Sequence, residues 1–334
     1  MRLARQNVNK AASLADVPPI TEAWARSVLP RRAPGAHKWS VGGVVVVAGS
    51  PSYAGAAALC CAAAGRAGAG IVSAALPRSI ARIVVGLVPE ATVVILPEGE
   101  STSVAQRAAE AIGGRLDRAA ALVIGPGLGS DEATEALLAS LFGSVRPRGA
   151  IGFGARQEEP QASEGTIAAS GKPAAVDADA LNWLAKQERW WERVPRERLV
   201  LTPHAGEMAR LINSQTDEIV ADPVTVARDA AMRWGQTVVL KGGVSVVASP
   251  DGNVVGAASP PALATAGSGD VLSGAIGAFL AQGLAPRDAA ALAVFIGCRA
   301  GERVARRLGT LGVVAGDLPI AIAEELAVLE AMEA

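Results

Sequence analysis

The sequence predicts an α/β fold in which a mostly parallel central sheet is covered by helices on both faces. Short runs of Val, Ile and Ala recur along the 334 residues without polar alternation. Continuous apolar runs of that length mark strands buried on both faces. Ala- and Leu-rich stretches of helical length lie between them, the alternation that builds parallel sheets. Hydrophobic residues make up 50% of the chain but aromatic residues only 3%. The apolar mass is therefore small side chains, which let helices pack closely on a sheet.

Taken in order, Gly43–Ala48 reads as a first buried strand and Ala54–Arg66 as a helix of small residues. Strand Ile71–Leu76, helix Arg78–Gly86, strand Thr92–Leu96, helix Ser103–Ile112, strand Ala121–Ile124 and helix Asp131–Phe142 follow. The alternation resumes with strands at Ala174–Asp177, Leu199–Leu201 and Thr237–Leu240. Val244–Ala248 and Val254–Ala257 flank Pro250-Asp251-Gly252-Asn253, a hairpin signature. The last third is helical, over Gly269–Gln282, Pro286–Leu308 and Asp317–Ala331, with Asp317 as N-cap. No linker-like shift in composition divides the chain. The expected organisation is an N-terminal extension over residues 1–20 and one domain from residue 21 to 334. Residues 143–172 are polar and Gly-rich without periodicity, and read as a surface insertion.

The net charge is −1 with no basic block, which speaks against nucleic acid as a partner. The first 20 residues hold no apolar core of the secretory kind, and apolar runs such as Ala54–Ala64 stop short of a membrane span. A cytoplasmic protein acting on small molecules, with no membrane partner, is the expectation. Cys60, Cys61 and Cys298 form neither a disulfide framework nor a metal motif and read as small core residues.

The strongest chemical signal is Gly267-Ser268-Gly269-Asp270 at the start of a helix. Backbone N–H groups at such an end are open to an anion, and the helix dipole favours negative charge there. That effect is worth only about 0.3–2 kcal/mol, so it positions a phosphate without supplying the chemistry. Asp270 is the natural second part, a carboxylate placed to take a proton from an attacking hydroxyl. Other motifs follow strands. Gly125-Pro126-Gly127-Leu128-Gly129 has the wrong spacing for a dinucleotide fingerprint, and Pro126 lacks an N–H. Asp177-Ala178-Asp179-Ala180-Leu181-Asn182 places two carboxylates at a strand end. There Asp179 suits a helix cap, and Asp177 suits contact with substrate or hydrated Mg²⁺. Thr202-Pro203-His204-Ala205-Gly206-Glu207 and Lys241-Gly242-Gly243-Val244-Ser245 each end a strand too. All of them fall on one edge of the sheet, and that convergence favours a site. No G-x-x-x-x-G-K-[ST] motif occurs, so this is not a P-loop enzyme.

In this order, and with His37-Lys38 and Gly49-Ser50-Pro51-Ser52-Tyr53-Ala54-Gly55-Ala56 ahead of them, the motifs resemble the ADP-dependent NAD(P)H-hydrate dehydratase family of the ribokinase-like superfamily. The resemblance implies a lyase that uses ADP to convert (6S)-hydrated NADH or NADPH back to NADH or NADPH, releasing AMP and phosphate. Asp270 would be the catalytic base. Ala56, Gly129, His204, Asp177 and Asn182 would join it in binding the hydrate. Lys241, Gly242, Gly243, Val244, Ser245, Gly267, Ser268 and Gly269 would line the adenine nucleotide. Mg²⁺ would bridge the phosphates, through water to Glu207. A homotetramer is usual for such proteins. The residues before His37 are too few for the epimerase domain often fused ahead, so a separate epimerase is the implied partner. The alternatives are a superfamily kinase of the hydroxymethylpyrimidine or hydroxyethylthiazole type, which P-H-A-G-E speaks against, and a nucleotide-binding regulator without catalysis, which the presence of Asp270 and Lys241 speaks against.

Overall fold

The computed structural model describes residues 17–143 and 164–331. Helices α1 (Glu22–Val28) and α2 (Lys38–Val41) lead into β1 (Gly43–Val47), α3 (Ala54–Arg66), β2 (Ile71–Pro77), α4 (Arg78–Leu87), β3 (Thr92–Leu96) and α5 (Thr102–Leu116). Next come β4 (Ala121–Ile124), α6 (Glu132–Phe142), α7 (Thr166–Ser170), β5 (Ala174–Val176), α8 (Ala178–Leu184) and β6 (Leu199–Leu201). Helices α9 (Ala205–Ile212), α10 (Thr216–Ala221) and α11 (Pro223–Trp234) precede β7 (Thr237–Leu240) and the hairpin β8 (Val244–Ala248) and β9 (Val254–Ala258). Helices α12 (Ser268–Ala281), α13 (Pro286–Leu308) and α14 (Leu318–Ala331) complete the described chain.

The strands form one sheet in the order β3-β2-β1-β4-β5-β6-β7-β8-β9. Every pair from β3 to β7 is parallel, and the last two pairs are antiparallel. The apolar runs mean what the sequence reading took them to mean: β1 is buried throughout, with Val44 and Val46 in one core and Val45 and Val47 in the other. Helices α3, α4, α12, α13 and α14 cover the first face; α5, α6, α8, α9 and α11 cover the second. Small residues permit close approach between layers. A Cβ on Gly274 of α12 would stand 2.2 Å from the Cys60 carbonyl oxygen of α3, and one on Gly277 2.2 Å from Val123 of β4.

The chain turns back at the centre of the sheet. Strands β1 to β3 step outward one way, and β4 starts again on the opposite side of β1. In open α/β sheets ligands bind in the crevice outside the strands' carboxyl ends at such a reversal.

Three expectations are corrected. The domain does not begin at residue 21: Pro19 pairs with Gly256 of β9, and the Ile20 N–H donates to the Gly256 carbonyl at 2.9 Å, so residues 17–20 cover the sheet's edge. The supposed insertion over 143–172 falls largely outside the described residues, but its end is not loop, since α7 buries Ile167 against the second core. Asp317 is not the N-cap of the last helix; it ends a 3-10 turn, Ala315–Asp317, and its Oδ2 accepts from the Val314 N–H at 3.0 Å.

Candidate active site

The carboxyl ends of β4 to β7 and the first turn of α12 meet at one place, and a short chain of contacts holds them together. The last residue of β5 is followed by Asp177, which is 2% exposed. One of its oxygens, Oδ1, accepts from Lys241 Nζ at 2.8 Å, and Oδ2 accepts from Ser273 Oγ at 2.8 Å. Ser273 lies three residues beyond Asp270, on the same face of α12. The strand ends are therefore tied to the helix by a buried carboxylate. A Cβ on Gly269 would stand 3.4 Å from Lys241 Nζ and 3.5 Å from Asp177 Oδ2. Glycine there lets the start of α12 settle onto the charge pair.

His204 and Lys241 are neighbours because an isolated parallel bridge keeps the β6–β7 register three residues past β6 and one past β7, with the Lys241 N–H donating to the Pro203 carbonyl at 2.8 Å. His204 is the N-cap of α9: its Nδ1 accepts from the Gly206 and Glu207 N–H groups at 3.0 and 3.3 Å. Glu207 closes the capping box, its Oε2 accepting the His204 N–H at 2.8 Å. Its carboxylate also lies 3.9 Å from Lys241 Nζ. Burial raises the Glu207 pKa, with Asp177 adding to the rise and Lys241 opposing it. For Lys241, burial pulls the pKa down, but Asp177 and Glu207 outweigh it and the net shift is upward, so the ammonium stays charged.

Asp270 stands at the third position of α12, after Gly267, which takes the left-handed φ of +90° at the N-cap. A Cβ on Gly267 would stand 2.6 Å from Leu59, so both the turn and the space demand glycine. The Asp270 carboxyl is half-buried. Burial and the nearby Asp177 charge raise its pKa to about 6, with Lys241 opposing.

Beside this cluster opens a cavity of about 520 Å³. His204, Lys241, Gly242, Gly243, Ser245, Ser268 and Gly269 give it a polar side, and Leu272, Val294 and Ile322 an apolar one. Val244 turns its side chain to the second core, so only its backbone is available here. The glycine loop after β4 sits alongside. Gly125, Gly127 and Gly129 all have positive φ, and a Cβ on Gly127 would stand 2.7–2.8 Å from Tyr53 and Ala56. That contact brings Ala56 against the loop.

The structure corrects three readings. Asp177 is not a surface contact for substrate or hydrated metal, because both oxygens are engaged beneath the site. Asp179 does not cap its own helix; its Oδ2 accepts the Gly129 N–H at 2.8 Å and fixes the glycine loop. Asn182 does not line the cavity, and its Oδ1 accepts from Arg210 Nε at 2.9 Å. His37 caps α2 ahead of β1, at the opposite edge of the sheet. Ser273 and Arg210 escaped the sequence reading, although Ser273 shares a helical face with Asp270.

The family model for NAD(P)H-hydrate dehydratases matches residues 44–148 and 149–323. The chain belongs to the NAD(P)H-hydrate dehydratase family. It is 40% identical over 302 residues to a bifunctional NAD(P)H-hydrate repair enzyme of Moorella thermoacetica, covering 90% of this chain and 52% of that protein. The chain thus spans about half the length of the bifunctional relatives it matches. An ADP-dependent (S)-NAD(P)H-hydrate dehydratase of Xanthomonas campestris is 35% identical over 292 residues, covering 87% of this chain and 90% of its own length. Among solved structures, the ADP/ATP-dependent NAD(P)H-hydrate dehydratase of Bacillus subtilis, co-crystallized with ATP and Mg²⁺, superposes with a TM-score of 0.74 at 25% identity, covering 94% of this chain and 99% of that one. A ribokinase-like superfamily protein of Enterococcus faecalis shares the fold, with a TM-score of 0.73 at 20% identity over 96% of this chain and 99% of that one, as the motif order implied.

Proposed function

We propose that this protein catalyses ADP-dependent dehydration of (6S)-hydrated NADH and NADPH, returning the reduced dinucleotides with release of AMP and phosphate. The observation that carries this reading is Asp270, a half-buried carboxyl with its pKa raised to about 6, at a glycine-bounded helix start beside the Lys241 cavity. In solution near neutral pH it is a carboxylate with more proton affinity than an ordinary aspartate. That combination suits a general base acting on an alcohol.

Asp270 takes the proton as the C6 hydroxyl oxygen of the hydrate bonds to the terminal phosphorus of ADP. The bridging P–O bond breaks, and its electron pair leaves with AMP. The N–H groups around Ser268 and Gly269, with Lys241, hold the charge on the transferring group. In the second step the C6–O bond breaks, phosphate leaves with the pair, and loss of the C5 proton restores the C5–C6 double bond. Ala56, Gly129 and His204 flank the hydrate, and Lys241 to Ser245 flank the adenine nucleotide. Among the described residues no set of three or more His, Cys, Asp or Glu side chains forms a metal cage. Mg²⁺ would be held chiefly by phosphate oxygens, with Glu207, whose Oε2 already accepts the His204 N–H, the carboxylate that would receive one of its waters. Bound in that way, the metal supplies neutralisation of phosphate charge. Cytoplasmic location, a homotetramer and an epimerase acting on the same hydrates extend the same reading. No described helix is long and apolar enough to cross a membrane.

The test is purified protein with Mg²⁺ and hydrated NADH, with ADP or ATP added separately, following the absorbance of the reduced nicotinamide. The reading expects recovery with ADP and one AMP per turnover. Recovery with ATP alone would move the donor assignment. No recovery with either, from protein that still binds adenine nucleotide, would sink the function.

A further inference from the structure

A second crevice lies on the same sheet edge, and neither the catalytic cluster nor the nucleotide cavity uses it. It encloses about 240 Å³ between the loop after β1, the end of β2 and the first turns of α5 and α6. Pro51, Pro77, Ala105 and Leu128 give it apolar walls, and Glu98 and Asp131 stand at its rim. It lies across the carboxyl ends of β3, β2, β1 and β4, a stretch that includes the β1–β4 reversal at which open α/β sheets bind ligands.

We propose that this crevice seats the adenosine end of the hydrated dinucleotide, and that its acidic rim selects a ribose without a 2′-phosphate. The proposal rests on the dehydratase reading and identifies where the remote half of that substrate goes. A continuous run of contacts links it to the reacting end. Gly269, next to Asp270, lies against Asp177, and Asp179 two residues on holds the Gly129 N–H at 2.8 Å. Leu128, the residue before Gly129, forms a wall of the crevice. From β5, where Asp177 lies, to β2 is three strand spacings, about 14 Å. That is a distance for an extended dinucleotide and not for a single nucleoside. The crevice holds one base and part of a sugar, and its flat proline-lined walls suit a purine face.

The rim carries the specificity. Glu98 Oε1 accepts from Ser79 Oγ at 2.7 Å, and Asp131 Oδ1 accepts the Thr134 N–H at 2.8 Å. Both carboxylates are thereby held in place while exposed at the mouth. An acidic residue beside a ribose accepts hydrogen bonds from its hydroxyls and repels a 2′-phosphate. No Lys or Arg lines the crevice among the described residues.

The experiment compares kcat/KM of the full chain on three hydrates: those of NADH, NADPH and reduced nicotinamide mononucleotide, which lacks the adenosine end. The expected result is NADH hydrate favoured over each of the others by roughly tenfold or more, about 1.4 kcal/mol. Ala105→Leu, which narrows the crevice, is expected to bring NADH hydrate down toward the mononucleotide. Glu98→Lys is expected to remove discrimination against the phosphate. Equal use of mononucleotide and dinucleotide by the unaltered protein overturns the seat while leaving the dehydratase reading intact. A preference for the dinucleotide with equal use of both NADH and NADPH hydrates overturns the selective role of the rim. No turnover of any hydrate removes the dehydratase reading and this proposal together.

Discussion

Two stretches of the same sheet edge are built on opposite principles. The end of β5 to β7 is charged and buried: Lys241 Nζ lies within 4 Å of both the Asp177 and the Glu207 carboxylates, and Asp177 locks α12 through Ser273. The end of β1 and β4 buries no such charge pair and is shaped by backbone: of three positive-φ glycines in five residues, Gly125 is pressed against the Asp177 carbonyl and Gly127 against Tyr53 and Ala56. On the proposed function the first arrangement would set proton affinity and hold phosphate. The second would let a substrate ring approach the chain closely. A buried ion pair is an expensive way to gain stability, so its place under the helix that presents Asp270 points to positioning.

The largest effect that separates the two stretches is expected at Asp270. Asp270→Asn should lower kcat by about 10²–10⁴-fold, with adenine-nucleotide binding retained in calorimetry. The same change should stabilise the fold slightly. A raised pKa means the folded state favours the protonated carboxyl, so the charged form costs stability once pH rises from its ordinary value of 3.8 through about 6. Melting at pH 7.5 should therefore rise in the Asn variant, and melting near pH 4 should not.

Lys241→Met comes next. It leaves Asp177 charged and buried without its partner, and urea unfolding should show a loss of about 3–5 kcal/mol. On the glycine side, Gly125→Ala puts a Cβ 1.9 Å from the Asp177 carbonyl oxygen at a φ of +122°. About 3 kcal/mol of stability should go, the sum of overpacking and backbone strain. Gly129→Ala meets open space and should cost only the left-handed strain, about 1 kcal/mol. Equal losses at Gly125 and Gly129 would break the view that close approach shapes this loop. Ser273→Ala should have the smallest effect on activity, a fall of less than about tenfold with about 1.5 kcal/mol of stability lost, because Lys241 still holds Asp177.

Much of this was legible in the sequence. Ala54–Arg66, Thr92–Leu96, Ala121–Ile124, Thr237–Leu240 and Pro286–Leu308 form the elements expected of them, with the same bounds. Most of these segments are apolar runs or helices with definite ends, where local signals and burial agree; Thr92–Leu96 is the exception, an edge strand with only Leu96 buried. His204 and Lys241 share an edge because each follows a strand of the parallel part of the sheet, and Asp270 reaches the same edge at the start of α12. The misreadings have a common cause. Asp177, Asp179 and Asn182 are polar residues at a strand end, and a sequence does not tell which of them faces a ligand and which faces another loop. Their partners, Lys241, Gly129 and Arg210, lie 64, 50 and 28 residues away. Ser273 was hidden for the same reason: its partner lies 96 residues back along the chain. Residues 17–20 carried no strand pattern, since only their pairing with β9 defines them.

The most direct test of the account is the pH dependence of kcat/KM for hydrated NADH with ADP. Asp270 must be deprotonated to take the hydroxyl proton, so activity should fall on the acid side with a midpoint near 6, the value to which burial and Asp177 raise it. Asp177→Asn should move that midpoint downward. An acid limb near 4, or one that Asp177→Asn leaves in place, would contradict the assignment of Asp270 as a base tuned by the charge beneath it.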